Sequence, residues 1–138
     1  LRAYCSRTGQ EIPGSEGEVV RVALESLALK YRWVLERLEE ILGRRLSVIH
    51  IVGGGIQNEL LCQFTADAAD RPVIAGPAEA TAIGNCMVQA MGLGEVDSLA
   101  QIRSVVRLSF EPKLYRPRSD RGGWDEAYGQ LQDLLNTP

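Results

Sequence analysis

The stretch that decides the fold is residues 46–58, which read LSVIHIVGGGIQN. Its first seven residues are mostly apolar and β-branched, a composition typical of a strand that is buried on both faces. Three glycines, Gly53, Gly54 and Gly55, follow directly, and Asn58 is a favoured N-cap residue for a helix. The stretch therefore predicts a strand, a glycine turn and a helix in succession.

The same order is repeated downstream and is preceded by a long helix. A Gly76-Pro77 pair marks a second turn, after which small residues predominate. The predicted helices cover about residues 18–42, 59–69, 78–91, 98–106 and 124–135, the predicted strands cover residues 46–52 and 72–75, and residues 108–112 are expected to be extended. The fold class is therefore α/β, with a long helix followed by β-α-β-α and then a helical tail.

The long helix carries the strongest periodic signal in the chain. Its apolar residues recur at alternating intervals of four and three, so that they share one face, and Gly43 is placed to end the helix. The stripe extends over only about three and a half heptads, so packing across a sheet is favoured over a coiled-coil seam. The stripe consists of Val20, Leu24, Leu27, Tyr31, Val34, Leu38 and Ile41.

The number of predicted strands is too small for a complete domain. Two parallel strands between helices do not form a stable sheet by themselves. The sequence also begins with Leu1 and not with methionine. We therefore expect the chain to be the second half of an α/β domain whose first strands precede Leu1 or come from another chain.

Composition excludes several classes of protein. The chain has 138 residues, 45% of them hydrophobic, and its net charge is −3, which provides no electrostatic surface for nucleic acid or for an anionic membrane. No apolar stretch approaches the roughly 18 residues that a membrane span needs. The three widely spaced cysteines exclude a structural zinc site and indicate a reducing compartment. We expect a cytoplasmic location.

The glycine turn is the segment most suited to ligand binding. Glycines between a strand and a helix let the backbone approach a phosphate, and the helix N-terminus offers free N–H groups. The spacing matches neither a Rossmann fingerprint nor a P-loop, and a simple tight turn explains it equally well. Asn58 can cap the helix, present its amide edge to a base or ribose, or do both.

Other polar residues are interpreted as structural. His50, the only histidine, is expected to be a hydrogen-bonded strand residue. Glu79 lies near a helix start on the ligand-binding side of such sheets, where helix-dipole stabilisation explains it equally well. Four aspartates are expected to be solvated, namely Asp67, Asp70, Asp120 and Asp125. The small residues Ala80, Ala82 and Gly84 are expected to bring their helix close to a neighbour.

Several segments, taken in order, resemble the C-terminal portion of the rhamnulokinases, a branch of the FGGY carbohydrate kinases. The resemblance covers about residues 4–95 and is specific because five blocks occur in the family's order. The blocks are Tyr4-Cys5 with Thr8-Gly9-Gln10, residues 25–32 (ESLALKYR), residues 50–58 (HIVGGGIQN), residues 65–68 (TADA) and residues 75–85 (AGPAEATAIGN).

The resemblance implies a two-domain enzyme with ribonuclease H-like, actin-type cores. Such an enzyme transfers the γ-phosphate of magnesium-bound ATP to the 1-hydroxyl of L-rhamnulose. Residues 1–95 would form the nucleotide-side half of the C-terminal domain, and residues 96–138 a tail. Gly53, Gly54 and Gly55 would border the nucleotide, and Asn58 matches a position that approaches the adenine.

The resemblance assigns neither a catalytic residue nor a magnesium ligand to this chain. The catalytic aspartate and most of the sugar site belong to family segments upstream of Leu1, so the chain alone is expected to be inactive. It departs from the family pattern at Cys62, where asparagine is usual, at Asp70-Arg71, where a turn with glycine is common, and at Ala78, where valine is usual.

Two alternatives remain open. A kinase of the same family could act on another ketose or a polyol. A protein of another class could be a non-catalytic phosphate-binding or helix-mediated interaction module. In either case an exposed sheet edge and an apolar helix face predict that the isolated chain self-associates.

Overall fold

The computed structural model describes residues 1–120 and 122–136. Helices flank a small sheet, and the predicted order of a long helix, strand, helix, strand and helix is confirmed. The helices are α1 (Arg2–Arg7), α2 (Glu16–Leu42), α3 (Glu59–Ala69), α4 (Ala80–Gly92), α5 (Leu99–Ser109) and α6 (Gly122–Asn136). The strands are β1 (Ile49–Ile51), β2 (Val73–Ala75) and β3 (Lys113–Tyr115), and a 3₁₀ turn (Gly53–Gln57) joins β1 to α3.

The sheet is mixed, with the strand order β1-β2-β3. β1 and β2 are parallel, with Ile49 opposite Val73 and Ile51 opposite Ala75. β3 is antiparallel to β2 and places Tyr115 opposite Val73. In the described part of the chain, no strand pairs with the outer edge of β1, so the sheet can be extended there.

The structure shows two differences from the predicted strands. β1 covers three of the seven predicted residues, and the prediction of burial on both faces is wrong because His50 is exposed. The prediction that residues 108–112 are extended is also wrong at its start, because α5 continues to Ser109 and β3 begins only at Lys113. Pro112 cannot continue a helix, which places the change of structure just before it.

Helix α2 begins and ends at recognisable capping residues. The Ser15 side chain accepts a hydrogen bond from the Glu18 N–H, while the Glu18 carboxylate accepts one from the Ser15 N–H. This capping box starts the helix two residues before the predicted position. Gly43 ends it with φ of 63°, a left-handed conformation that favours glycine.

The apolar stripe of α2 is mostly exposed, which contradicts the predicted packing across a sheet. Val20 is 58% exposed and Ile41 is 82% exposed. The side chains that α2 buries are Ala28, Leu29 and Leu35, on a neighbouring face. The stripe has the periodicity of a buried face, but the described residues provide nothing large enough to cover it.

Two apolar clusters form the core, and α3 contributes to both. Between α2, α3 and α6 the buried members are Ala28, Leu29, Phe64, Ala68 and Tyr128. Between α3 and the sheet they are Cys62, Ala66, Val73, Ala75 and Tyr115. Both β3 and α6 follow residue 96, so the predicted tail supplies part of each cluster.

A buried carboxylate fixes the tail to α3. Asp67 is only 1% exposed, which contradicts its predicted solvation. It accepts hydrogen bonds from the backbone N–H of Arg118 at 2.8 Å and from its Nε and Nη2 at 2.9 and 2.6 Å. Gln63 Nε2 donates a fourth bond at 2.9 Å. A buried charge is tolerated when its lone pairs are satisfied in this way.

Two further ion pairs join distant parts of the chain. Arg32 of α2 contacts Asp125 of α6 at 2.6 Å, so Asp125, although half-exposed, is paired and not simply solvated. Near the start of β1, Arg71 contacts Glu39 at 3.1 Å. The Leu46 N–H also donates to Glu39, and this bond together with Arg71 lowers the pKa of the Glu39 carboxyl. Glu39 thereby fixes α2 to a residue before β1 and to a residue after α3, while Arg32 fixes α2 to α6.

The turn after α3 explains one departure from the family pattern. Asp70 has φ of 52° and is the one non-glycine residue with positive φ among those described. Aspartate tolerates this conformation better than most residues, but glycine adopts it at no steric cost. The adjacent Arg71 donates hydrogen bonds to Leu46 O at 2.8 Å and to Glu39, which stabilises the turn.

Helix α4 differs from the others because none of its residues, all of which are described, is buried. The predicted close packing of its small residues is wrong. A Cβ built on Gly84 would meet no described atom within 4 Å outside its own helix and chain neighbours. The small residues are therefore compatible with a close neighbour, but the described residues do not provide one.

Candidate functional site

The turn after β1 needs a glycine at its first position. Val52 is extended, and Gly53 then takes φ of 78°, which is unfavourable for residues with a side chain. From Gly53 to Gln57 the backbone forms the 3₁₀ turn that leads into α3. The glycine predicted to allow a tight turn is thus confirmed at Gly53 by its backbone conformation.

The turns after β1 and β2 lie side by side. The Gly53 N–H donates to Pro77 O at 3.1 Å, and the Gly76 N–H donates to Ile51 O at 2.8 Å. A Cβ built on Gly53 would lie 3.8 Å from Ala78 O. The carboxyl ends of the two parallel strands therefore meet at one edge, which is where ligands bind in open α/β sheets.

Gly54 and Gly55 leave backbone accessible at this edge. Both are exposed. A Cβ built on Gly54 would meet no described atom within 4 Å beyond its chain neighbours, and one on Gly55 would lie an ordinary 3.6 Å from Ile51 Cγ2. The described protein atoms therefore leave the space beside Gly54 open. A ligand could approach the peptide there more closely than it could approach a residue that carries a side chain.

Asn58 has the predicted capping role. Its Oδ1 accepts a hydrogen bond from the Leu61 N–H at 3.0 Å, and its own N–H donates to Gly55 O at 3.3 Å. The residue is exposed, and its amide nitrogen carries two donors that the capping bond does not use. Capping therefore fixes the side chain beside the glycine turn without using its donor capacity.

Cys62, one turn into α3, lies beneath the site. It is fully buried, and its Sγ is 3.9 Å from Gly55 O. Burial raises the pKa of the thiol, and the nearby Glu59 carboxylate raises it further. Cys62 is therefore a packing residue with an unreactive thiol. Cys86, in contrast, is exposed.

The remaining candidate residues are less closely joined to the turn. Glu79 is exposed at the N-cap of α4, where its side chain makes no capping bond. His50 is a strand residue, as predicted; it pairs in register with Ile74, and it is exposed. Among the described residues, no three histidine, cysteine or carboxylate side chains are close enough to hold a metal ion.

An open cleft of about 670 Å³ lies elsewhere, between α1, α2 and α6. Its lining residues include Cys5, Arg21, Phe64 and Trp124, but neither the three glycines nor Asn58. In addition, no helix within the described ranges is long and apolar enough to cross a bilayer.

Sequence comparisons identify the relatives of the chain. Residues 2–93 match the profile described as the FGGY family of carbohydrate kinases, C-terminal domain. A rhamnulokinase of Bacteroides thetaiotaomicron is 49% identical over 135 residues, which are 98% of this chain and 28% of that protein. A rhamnulokinase of Halalkalibacterium halodurans is 44% identical over 83% of this chain and 25% of that protein. The chain thus spans about a quarter of the length of these relatives.

Solved structures show the same fold at low identity. The xylulose kinase of Rhodospirillum rubrum superposes with a TM-score of 0.70 and 21% identity, over 92% of this chain and 26% of that one. The glycerol kinase of Plasmodium falciparum, solved with ADP, gives 0.68 and 20% identity over 86% and 23%. The predicted fold class, part of an actin-type kinase domain, is confirmed.

Proposed function

Because the chain belongs to the FGGY family of carbohydrate kinases, we propose that it forms the nucleotide-binding part of an ATP-dependent sugar kinase. The kinase transfers the γ-phosphate of ATP to the 1-hydroxyl of L-rhamnulose. The observation that carries the nucleotide role is the open, Cβ-free backbone at Gly54, beside a second strand-to-helix turn. The two relatives named rhamnulokinase support the sugar assignment.

The glycine turn fits the backbone of a nucleotide. Gly53, Gly54 and Gly55 allow peptide groups to approach it closely, while the hydrogen bond from Gly53 to Pro77 keeps the turn in place. When bound, magnesium-ATP supplies the phosphoryl group and the cation that offsets its charge. In this role the described residues orient the nucleotide, and we place the magnesium ligands, the catalytic residue and most of the sugar site outside this chain.

Asn58 fits recognition of the adenine or ribose. Because Oδ1 is held by the Leu61 N–H, the amide nitrogen is fixed in position beside the turn. A donor held in this way loses little conformational entropy when a ligand binds. We therefore assign Asn58 both the helix cap and a hydrogen bond to the nucleotide.

The open edge of β1 and the exposed stripe of α2 support a domain organisation in which this chain is only part of a larger domain. We assign residues 1–95 to the nucleotide-side half of the domain and residues 96–138 to a tail that closes its core. Further strands of the intact kinase would pair with β1, and other parts of that kinase would cover the stripe. The free thiols and the mild charge also fit a cytoplasmic enzyme without nucleic-acid or membrane partners.

Nucleotide binding can be tested on the 138-residue chain itself. Calorimetric titration with ADP should detect binding, and Gly54→Val should weaken it by about tenfold or more because side-chain atoms would occupy the approach path. Gly84→Val is the matched control, since Gly84 is also exposed and unhindered. If the chain does not bind ADP, or if both variants behave alike, the proposed role of the glycine turn is wrong.

The sugar is tested on the intact kinase that contains this sequence. In a coupled assay of ADP release, L-rhamnulose should be phosphorylated faster than xylulose or glycerol. A much faster reaction with another ketose would overturn the sugar assignment and would leave the family unchanged.

The exposed stripe of α2 favours one further property, self-association of the isolated chain. Six apolar side chains at regular spacing form a larger continuous surface than scattered exposed residues do. Sedimentation velocity should detect dimers or larger species at micromolar concentration. If the chain is a stable monomer with no affinity for ADP, both the association and the nucleotide role are contradicted, whereas self-association without ADP binding favours an interaction module.

A further inference from the structure

Gly76, in the turn after β2, lies in contact with the glycine turn after β1. Its N–H donates to Ile51 O, and a Cβ built on it would lie 3.1 Å from Val52 Cγ1. Van der Waals contact between two carbon atoms needs about 3.5 Å or more. A side chain at position 76 would therefore push against the residue that immediately precedes Gly53.

Backbone conformation does not explain the glycine at position 76. Gly53 takes a positive φ, but Gly76 does not, so a left-handed conformation does not account for the glycine at position 76. The same Cβ would lie an ordinary 3.7 Å from Ile51 O, which leaves Val52 as the close contact. The need for glycine at position 76 is thus a need for space beside one side chain.

A displacement of Val52 would reach the proposed nucleotide site directly. Val52 connects Ile51, which accepts a hydrogen bond from Gly76, to Gly53, which donates one to Pro77. These two hydrogen bonds hold the turns together on either side of the contact. A shift of a few tenths of an ångström at Val52 would lengthen the bond from Gly53 to Pro77 and move the adjacent Gly54.

We propose that Gly76 is a positioning residue for the nucleotide turn. It acts by leaving room for Val52, so that the Gly53 N–H stays bonded to Pro77 O and Gly54 keeps its place at the site. The consequence for nucleotide affinity rests on the proposed function, whereas the effect on the turn does not.

The test uses the 138-residue chain with Gly76→Ala, Val52→Ala and the double variant. Gly76→Ala should accelerate hydrogen exchange of the Gly53 amide by about threefold or more and weaken ADP binding by a similar factor. Val52→Ala removes the contacting Cγ1, and because Val52 is 54% exposed the chain should tolerate this change. In the double variant, both quantities should return to those of Val52→Ala.

Gly84→Ala is the matched control, because its Cβ meets no described atom within 4 Å outside its own helix and chain neighbours. It should leave both the Gly53 amide and ADP affinity unchanged. Unchanged exchange at Gly53 in Gly76→Ala, or a defect that Val52→Ala does not rescue, would overturn the positioning role. Faster exchange with unchanged ADP affinity would also overturn it. If the unmodified chain does not bind ADP, the proposed function fails, while the exchange rates still decide whether Gly76 positions the turn.

Discussion

Helices α3 and α4 follow the same kind of element but differ in how deeply they are buried. Each comes after a short parallel strand and a turn that contains glycine, and each is rich in alanine and larger apolar residues. Eight of the eleven residues of α3 are buried, whereas none of the thirteen described residues of α4 is. Local sequence therefore specifies that each segment is a helix, but does not specify how deeply it is buried.

The difference arises from what surrounds each helix. α3 is enclosed by α2 and α6 on the side of Phe64 and by the sheet on the side of Cys62. α4 is joined to the other elements mainly through the turn at Gly76 and Pro77, while the sheet face that carries His50 is uncovered. A helix with apolar faces is buried only when neighbouring elements pack against those faces.

The largest test of this comparison replaces an apolar residue in each helix. Phe64→Ala should lower the free energy of unfolding by about 4 kcal/mol, because it removes a buried ring that packs against Trp124 with centroids 5.3 Å apart. Ile83→Ala in α4 should cost about 1 kcal/mol or less, because its environment is open. Urea unfolding measures both changes, and equal costs would show that α4 is packed in solution.

The next largest effect is expected at Asp67. Asp67→Asn removes the charge that Arg118 neutralises and places amide hydrogens against the donors of Arg118, which should cost about 3 kcal/mol. The control is the exposed Asp120, which lies in the loop that contains Arg118. Asp120→Asn should change stability by about 0.5 kcal/mol or less. Both are read from urea unfolding midpoints, and a cost below about 1 kcal/mol for Asp67→Asn would contradict the clamp between α3 and the tail.

Tyr128, which closes the cluster around α3, provides a test by pH. Burial, assisted by the hydrogen bond that its hydroxyl donates to Glu36, raises the pKa of Tyr128 from 10.0 to about 12. The folded chain therefore holds the phenolic proton more tightly than the unfolded chain does. The resulting stability is present below pH 10 and is lost as pH rises towards 12.

Tyr128→Phe removes this titration. It should cost about 1 kcal/mol at neutral pH, through loss of the hydrogen bond, and should lack the fall between pH 10 and 12 that the unmodified chain shows. Urea unfolding at a series of pH values measures this difference. Parallel pH profiles for the two chains would mean that Tyr128 titrates at its ordinary pKa.

The smallest effect is expected in α4 itself. Gly84→Ala should increase the local stability of this helix by about 0.5 kcal/mol, because alanine loses less backbone entropy than glycine. Hydrogen exchange should detect slower exchange of α4 amides, which in the unmodified chain should already exchange faster than those of α3. A rise of similar size in the global free energy of unfolding would show that α4 unfolds together with the core.

Features that depend on a few neighbouring residues could be predicted from the sequence. Asn58 caps α3, Gly43 ends α2 in a left-handed conformation, and the bounds of α3 agree with the prediction. The strand-turn-helix order around the glycines was predicted for the same reason. Each of these features needs only local hydrogen bonds and the backbone preferences of single residues.

Features that depend on distant partners were predicted wrongly. From its position near a helix end, Asp67 was expected to be solvated. In the fold, the antiparallel strand β3 brings Arg118, 51 positions later, into contact with it. The stripe of α2 and the small residues of α4 have the pattern of buried faces. Such a pattern does not show whether another element of the chain packs against the face. At the candidate site, the proximity of Gly76 to Val52 required the register of β1 and β2, which composition does not provide.

The antiparallel pairing of β3 with β2 also has a consequence for biosynthesis. β2 is complete when Ala75 has been made, but its second edge is covered only after Tyr115 has emerged, about 40 residues later. At translation rates of roughly 5–20 residues per second, this interval lasts roughly 2 to 8 s. The nascent chain therefore carries an open, apolar edge of β2 for seconds, until β3 pairs with it.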